Sequence, residues 1–159
     1  RKSWTVVPFE EMIKWFLKRE GRVIGDFGCG EAKLAEALAD RHVVHSFDHV
    51  AINDDVLGGD MANTPLPDEE LDDAVFCLSL MGANFTDYLR EAHRVLKIDG
   101  RLHIWEATSR FKHRERFVEG LGKLGFEIAG SVQDQGKFTK IQALRTTRDP
   151  VPVVMKFRP

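Results

Sequence analysis

Residues 23–31, Val-Ile-Gly-Asp-Phe-Gly-Cys-Gly-Glu, constrain the fold of this chain more than any other stretch. A short apolar strand runs here into a turn with two glycines and then into a helix. Open α/β proteins use this unit to bring backbone amides close to a nucleotide-like ligand, because glycine has no Cβ to block the approach. Glycine turns after strands also occur for steric reasons alone. The turn by itself therefore leaves open an α/β domain without a ligand.

An acid further along the chain favours a nucleoside site. Asp48 lies 22 positions after Asp26, at the end of the next apolar run, residues 43–47. In this architecture an acid about 20 residues beyond the glycine turn binds the ribose hydroxyls. The turn and the acid together predict a bound nucleoside.

The glycine spacing distinguishes two classes of nucleoside ligand. Dinucleotide sites prefer the pattern G-x-G-x-x-G, and the third position is here Lys33. A lysine at that position does not allow the close helix–strand approach that accompanies a bound pyrophosphate. S-Adenosylmethionine, which has no phosphates, fits better. Its amino-acid part would lie in the turn and its ribose at Asp48.

Composition and charge limit the classes of protein. The 159 residues are 43% hydrophobic and 30% charged, which is ordinary for one globular domain with its own core. No run approaches the ~18 apolar residues that span a membrane, and no secretory signal is visible. Cys29 and Cys77 give neither a disulfide framework nor a metal-ligand spacing, so we expect an intracellular, reducing compartment and no metal site. The net charge of −2 argues against strong autonomous nucleic-acid binding.

Strand and helix patterns alternate along the chain. An amphipathic helix is expected between Pro8 and Gly21, because apolar residues recur there at helical spacing. A hairpin is expected about residues 135–136, and an extended tail from Asp149. The remaining predicted strands are 23–27, 43–48, 56–62, 71–80, 101–106, 126–133 and 137–145, and the remaining predicted helices are 31–40, 84–96 and 113–124.

Five β–α units followed by an antiparallel pair are typical of one version of the doubly wound sheet. We therefore predict a class I (Rossmann-like) methyltransferase fold, with a mostly parallel seven-stranded sheet, a closing antiparallel hairpin and helices on both faces. The whole chain, residues 1–159, is predicted to be a single domain. Its parts are an N-terminal helix segment (1–21), a catalytic core (22–145) and an extended C-terminal tail (146–159).

Five motifs, in their order and spacing, carry a family resemblance. They are Asp-Phe-Gly-Cys-Gly (26–30), Ser-Phe-Asp (46–48), Gly-Asp-Met-Ala (59–62), Ala-Val-Phe-Cys-Leu-Ser-Leu-Met-Gly (74–82) and Tyr-Leu-Arg-Glu-Ala-His-Arg-Val-Leu-Lys (88–97). Together they resemble the ribosomal RNA-processing protein 8 (nucleomethylin-like) family. The motif at 74–82 is the most specific, because most methyltransferases carry other residues there.

The resemblance implies an S-adenosylmethionine-dependent methyltransferase that acts on N1 of an adenine in large-subunit ribosomal RNA, in the nucleolus. Two features differ from the family. Its members have an additional N-terminal segment, with a histidine near the cofactor, that is not in this sequence. Residues 97–100, Lys-Ile-Asp-Gly, replace the usual Lys-Pro-Gly-Gly turn. By position, the implied cofactor-binding residues are Gly28, Gly30, Asp48, Asp60, Met61 and Cys77.

The sequence contains no obvious set of catalytic residues. Adenine N1 carries a free lone pair at neutral pH and needs no base, so alignment of the two reactants would suffice. Methylation of an exocyclic amine would call for Asn/Asp-Pro-Pro-Tyr/Phe after the fourth strand, where residues 78–81 are Leu-Ser-Leu-Met. Methylation of a cytosine carbon would need a nucleophilic cysteine in a Pro-Cys loop. Cys77 follows Phe76 instead and is better interpreted as a wall of the pocket.

Two polar residues are weaker catalytic candidates. Glu106 ends the fifth predicted strand and either contacts substrate or hydrogen-bonds to local backbone. Arg110 opens a basic cluster, residues 110–116, that contains Phe111. This cluster either contacts RNA phosphates or is an ordinary solvated surface.

The substrate assignment has rivals. The near-neutral charge indicates that affinity for ribosomal RNA comes from an N-terminal extension or a partner protein. A methyltransferase of a small molecule or a protein would use the same fold. A regulatory module that binds S-adenosylmethionine or S-adenosylhomocysteine without turnover would keep the same pocket.

Overall fold

The computed structural model describes residues 7–28, 31–48, 50–51, 53–80, 82 and 84–158. The helices are α1 (Pro8–Leu17), α2 (Lys33–Leu38), α3 (Phe85–Val95) and α4 (Arg114–Lys123), with a 3-10 turn at Thr108–Arg110. The strands are β1 (Val23–Phe27), β2 (Val43–Asp48), β3 (Val56–Gly58), β4 (Leu71–Cys77), β5 (Leu96–Ala107), β6 (Phe126–Ile128), β7 (Gln133–Gln135) and β8 (Phe138–Arg145).

All eight strands belong to one sheet. Its order is β3-β2-β1-β4-β5-β8-β6, and β7 also pairs with β8. The pairs among β1 to β5 are parallel, and every pair that involves β8 is antiparallel. The strand order changes direction at β1 and β4, so the carboxyl ends of these strands face a crevice of the kind that holds ligands in open α/β sheets. This confirms the predicted class I fold.

The antiparallel edge differs from the prediction in one respect. Residues 126–133 were expected to form one strand, but β6 ends at Ile128 and β7 begins at Gln133. Gly130, with φ +75°, lies in the gap and turns the backbone away from β8. In the part of the chain that the structure describes, the sheet therefore has eight strands where seven were predicted. The hairpin between β7 and β8 turns at Gly136, as expected.

The start of β5 also differs from the prediction. The strand begins at Leu96, directly after α3, whereas the apolar run at 101–106 predicted only its second half. Within it, Asp99 adopts a left-handed conformation with φ +67°. The short polar side chain of an aspartate tolerates this conformation better than most side chains do. Asp99 can therefore take the place of a glycine in the usual Lys-Pro-Gly-Gly turn without breaking the strand.

Apolar side chains pack on both faces of the sheet. On one face, Met12 and Phe16 of α1 pack with Leu34 and Leu38 of α2 over Ile24 of β1. The other face holds α3, α4 and part of the residues after β8 in a larger cluster. Helices therefore cover both faces, and α1 lies over the end of the sheet that carries the glycine turn.

Candidate functional site

Three neighbouring parallel strands end together beside the glycine turn. Phe27 at the end of β1 pairs with Phe47 of β2, and Asp48 pairs with Gly58 of β3. The turns beyond the strands are joined by backbone bonds, because Gly28 N donates to Phe47 O at 2.8 Å and Gly59 N donates to Asp48 O at 3.0 Å. The predicted turn and the predicted ribose acid therefore lie at adjacent strand ends.

Gly28 is required by packing as well as by access to a ligand. Its φ is +82°, and an added Cβ would overlap the Cβ of Ser79 in the loop after β4. Ser79 Oγ in turn donates a hydrogen bond to Phe27 O at 2.7 Å. This close approach joins the β1 turn to the β4 loop.

A cavity of about 220 Å³, here the β1 cavity, opens beside the glycine turn. Asp26, Gly28 and Cys77 line it, together with Phe9 and Met12 of α1. Met12, only 2% exposed, belongs to the core and to the cavity wall at once. Gly30, a predicted cofactor contact, lies outside the described residues.

Asp26 is the functional candidate that sequence reasoning missed. Its side chain is 6% exposed and lines the β1 cavity. Burial and, secondly, the charge of Asp48 raise its pKa to about 7. No lysine, arginine or histidine of the described residues forms an ion pair with it. A cationic ligand in the cavity would supply the missing charge. An acid at the end of an apolar strand, as for Asp48, was the signal that could have identified it.

Cys77 lines the same cavity from the end of β4. Burial raises the pKa of its thiol to about 12, with further contributions from the nearby Asp26 and Glu106 carboxylates. The side chain is therefore a neutral thiol at physiological pH and a poor nucleophile. Its chemistry is that of a packing surface.

A second cavity of about 100 Å³, here the β3 cavity, lies beyond the end of β3. Asp60 and Met61 line it together with Phe47. Asp60 Oδ1 accepts a hydrogen bond from Ala62 N at 2.9 Å, which fixes the turn that carries the carboxylate. Met61 is 3% exposed and gives the cavity an apolar wall. Asp48 lies at the strand end between the β1 and β3 cavities.

Glu106 and Arg110 bind each other and the loop after β4. Arg110 Nη1 lies 3.1 Å from Glu106 Oε1, and Glu106 Oε2 accepts a hydrogen bond from Leu80 N at 3.1 Å. Arg110 also donates to Leu80 O at 3.0 Å. Burial raises the pKa of Glu106, and these partners offset part of the effect. Of the two sequence interpretations of Glu106, the structure matches the carboxylate that hydrogen-bonds to local backbone.

The two cavities fit S-adenosylmethionine by the chemistry of their donor and acceptor groups. The buried Asp26 carboxylate matches an ammonium group, and the half-buried Asp48 carboxylate matches a pair of hydroxyls. Asp60 and Met61 offer one polar and one apolar surface to an adenine. Within the described part of the chain, no group of three or more His, Cys, Asp or Glu residues could hold a metal ion. None of the helices described there is long and apolar enough to cross a membrane.

Comparison with protein families identifies the class of protein to which this chain is similar. A family model described as hypothetical methyltransferase matches residues 1–153. Ribosomal RNA-processing protein 8 of Caenorhabditis elegans is 48% identical over 127 residues, which are 79% of this chain and 37% of that protein. The 25S rRNA (adenine(645)-N(1))-methyltransferase of Schizosaccharomyces pombe is 50% identical over 124 residues, covering 76% of this chain and 39% of that protein. The chain thus spans about two fifths of the length of these relatives.

A solved structure agrees on the fold. The TehB-like SAM-dependent methyltransferase of Corynebacterium glutamicum superposes with a TM-score of 0.72 over 91% of each chain, at 18% identity. At that identity the likeness concerns the fold alone. It supports the fold described above.

Proposed function

Because this chain belongs to the ribosomal RNA-processing protein 8 family of methyltransferases, we propose that it transfers a methyl group from S-adenosylmethionine to N1 of an adenine in large-subunit ribosomal RNA. The observation that supports the assignment of the cofactor is a row of carboxylates at three adjacent strand ends, Asp26, Asp48 and Asp60. The adenine atom and the RNA rest on 50% identity to a protein named for that reaction.

Each side chain of the site has a separate task in this proposal. Asp26 would bind the ammonium group of the methionine part, and Asp48 would accept hydrogen bonds from the ribose hydroxyls. Asp60 and Met61 would contact the adenine. Gly28 and Gly30 would let the backbone approach, and Cys77 would close the wall beside them. When bound, the cofactor supplies a methyl group on a positively charged sulfur.

The chemistry of the site supports a nucleophile that needs no base. The Cys77 thiol is protonated at neutral pH, and Glu106 is already bonded to Leu80 and Arg110. Adenine N1 attacks through its own lone pair, so the protein has to orient the acceptor rather than deprotonate it. N1 takes part in Watson–Crick pairing, so the target adenine must be unpaired or extruded.

We extend the proposal to the protein as a whole. Residues 1–159 would act as one methyltransferase domain, with a further segment or a partner protein contributing to RNA affinity, because the net charge of the chain is only −2. In a eukaryote the proposed substrate would place the protein in the nucleolus, where ribosomal RNA is processed.

Methyl transfer to RNA from cells that lack this protein tests the proposal. The chain is incubated with labelled S-adenosylmethionine and total RNA, and the nucleosides are then separated. Label in N1-methyladenosine of large-subunit ribosomal RNA is the expected result, and the matched Asp48→Ala chain should give none. Label in protein or in small molecules alone would identify a different methyltransferase. Cofactor binding with no label in any RNA, when the chain also carries an N-terminal extension, would favour a regulatory module or an acceptor other than RNA.

A further inference from the structure

A third cavity, of about 340 Å³, lies between the start of α4 and residues 154–156. Lys112, Arg116 and Lys156 line it, and none of the described residues in its wall is acidic. All three cationic side chains are exposed, and none forms an ion pair with a carboxylate of the described residues. We call it the basic cavity.

Residues 154–156 form one wall of the basic cavity, and their side chains alternate between exposed and buried. Met155 is 7% exposed and packs on Gly120 of α4, where an added Cβ would meet its side chain at 2.7 Å. Phe157 also points inward, and Lys156 between them is exposed. The extended backbone therefore directs Lys156 to the same opening as Lys112 and Arg116.

Aromatic packing and backbone bonds fix this wall. The Phe157 ring lies 4.9 Å from that of Phe85, 5.2 Å from Phe111 and 5.3 Å from Phe117, between ring centroids. Phe157 also forms a β-bridge with Phe111, and Arg158 N donates to Arg110 O at 2.8 Å. The cationic group at position 156 is thus presented by an ordered segment.

Arg110 links one wall of the basic cavity to the loop after β4. Arg110, whose guanidinium is 4.4 Å from the centroid of the Phe157 ring, also binds Leu80 in the loop after β4. Lys112 follows Arg110 by two residues. Arg110 therefore connects the segment that carries Lys156 to the loop that follows Cys77 of β4.

We propose that the basic cavity binds backbone phosphates of the RNA substrate next to the target nucleotide. Three cations around one opening match consecutive phosphates, which carry one negative charge per nucleotide. Contacts to phosphates fix the position of a nucleic acid without reading its sequence. This inference rests on the proposed function, because it takes the acceptor to be RNA. It assigns the positioning of that RNA to Lys112, Arg116 and Lys156.

A charge-removal variant with a matched control tests the site in the full chain. Lys112→Ser, Arg116→Ser and Lys156→Ser are combined. The control combines Lys18→Ser, Lys123→Ser and Arg148→Ser, which remove three exposed cations elsewhere that also form no ion pair with the described residues. The probe is a fluorescently labelled single strand of large-subunit ribosomal RNA. Its anisotropy is followed over a salt series, alongside calorimetry with S-adenosylhomocysteine.

The expected result is a loss of RNA affinity of at least about tenfold in the basic-cavity variant and little change in the control. The slope of log affinity against log salt should fall by about 2, since a single-strand phosphate contact contributes roughly 0.7. In methylation assays the KM for RNA should rise, whereas the affinity for S-adenosylhomocysteine stays the same.

Other results would overturn the assignment. If both triple variants bind and methylate RNA as the unchanged chain does, the phosphate site is wrong and the proposed function stands. If the unchanged chain binds S-adenosylhomocysteine but neither binds nor methylates RNA, the proposed function fails and the phosphate site fails with it. If polyglutamate binds through these cations and RNA does not, the surface belongs to an acidic protein.

Discussion

Two regions of the molecule carry opposite charge, and we call them the acidic side and the basic side. The acidic side comprises the ends of β1, β2 and β3 with Asp26, Asp48 and Asp60, and the basic side comprises α4 and the tail around the basic cavity. Asp26 and Asp48 lie at the ends of apolar strands and Asp60 lies two residues after β3, so their positions depend on local sequence. The basic side exists only because residues 154–158 return to α4 across a long interval of chain. A cofactor side can therefore be recognised from motifs, whereas a substrate side depends on distant packing.

Removal of the ribose acid gives the largest expected effect on the acidic side. Asp48→Ala should weaken S-adenosylmethionine binding by at least ~100-fold, because hydrogen bonds to a carboxylate contribute roughly 1.5–3 kcal/mol each. Calorimetry measures the affinity, and thermal unfolding shows that the domain stays folded. Asp54→Ala, which removes an exposed acid nearby, is the control. Unchanged affinity in Asp48→Ala would remove the ribose assignment.

The next prediction concerns the close packing of the glycine turn against the loop after β4. Gly28→Ala should lower the free energy of unfolding by about 3 kcal/mol, because its φ is +82° and its Cβ would overlap Ser79. Gly122→Ala in α4 is a matched substitution with no atom within 4 Å of the new Cβ. It should stabilise the chain by roughly 0.5–1 kcal/mol. Denaturant unfolding measures both, and equal effects would contradict the packing role of Gly28.

The ion pair between Glu106 and Arg110 has a smaller expected effect. Glu106→Gln should lower the free energy of unfolding by about 1–2 kcal/mol, since a neutral amide can still accept from Leu80 N but cannot form an ion pair with Arg110. Denaturant unfolding of the variant is compared with that of Glu119→Gln, an exposed position on α4. A variant as stable as the unchanged chain would show that the pair does not stabilise the β4 loop.

The smallest expected effect is a pH dependence of cofactor binding on the acidic side. The pKa of Asp26 is raised to about 7, so the folded chain without ligand holds a proton there below neutral pH. A bound ammonium group would lower that pKa, and binding should therefore release the proton. Cofactor affinity should rise about fivefold from pH 6 to pH 7 and about tenfold in all by pH 8, where it levels off, because one pKa unit corresponds to ~1.4 kcal/mol.

Calorimetry at pH 6.5 in two buffers of different ionisation enthalpy measures the released proton. Asp26→Asn is the control, since an amide cannot titrate. The same shift predicts that Asp26 favours folding below its ordinary pKa of 3.8 and that this contribution is lost as the pH rises through 7. Cofactor affinity independent of pH in the unchanged chain would mean that Asp26 does not face the ligand.

Local patterns predicted most of the elements, and the misses have common physical causes. The run at 43–48 predicted β2 with its observed bounds, and the spacing from Pro8 predicted α1. The interruption between β6 and β7 depends on how Gly130 turns the backbone against β8, a partner further along the chain. The early start of β5 depends on pairing of Leu96 with Leu71. Neither contact can be predicted from the periodicity of a short stretch of sequence.

The candidate site was predicted to a similar extent. Strand ends and glycine spacing identified the positions of Gly28 and Asp48, and the family motifs added Asp60, Met61 and Cys77. The raised pKa of Asp26 depends on its burial and, secondly, on the charge of Asp48 at the end of the neighbouring strand, which no single motif contains. The choice between substrate contact and backbone bond for Glu106 depended on where the β4 loop lies. The pKa of Asp26 and the partners of Glu106 both depend on residues that are distant in sequence and close in the folded chain.

The position of β8 within the sheet also affects the order in which the protein becomes complete during translation. β1 to β4 can pair as soon as each leaves the ribosome, but β6 and β7 pair only with β8, which is made after them. The wall at Met155–Phe157 emerges later still. A nascent chain therefore completes the strand ends of its nucleoside crevice before it has made the segment that carries Lys156.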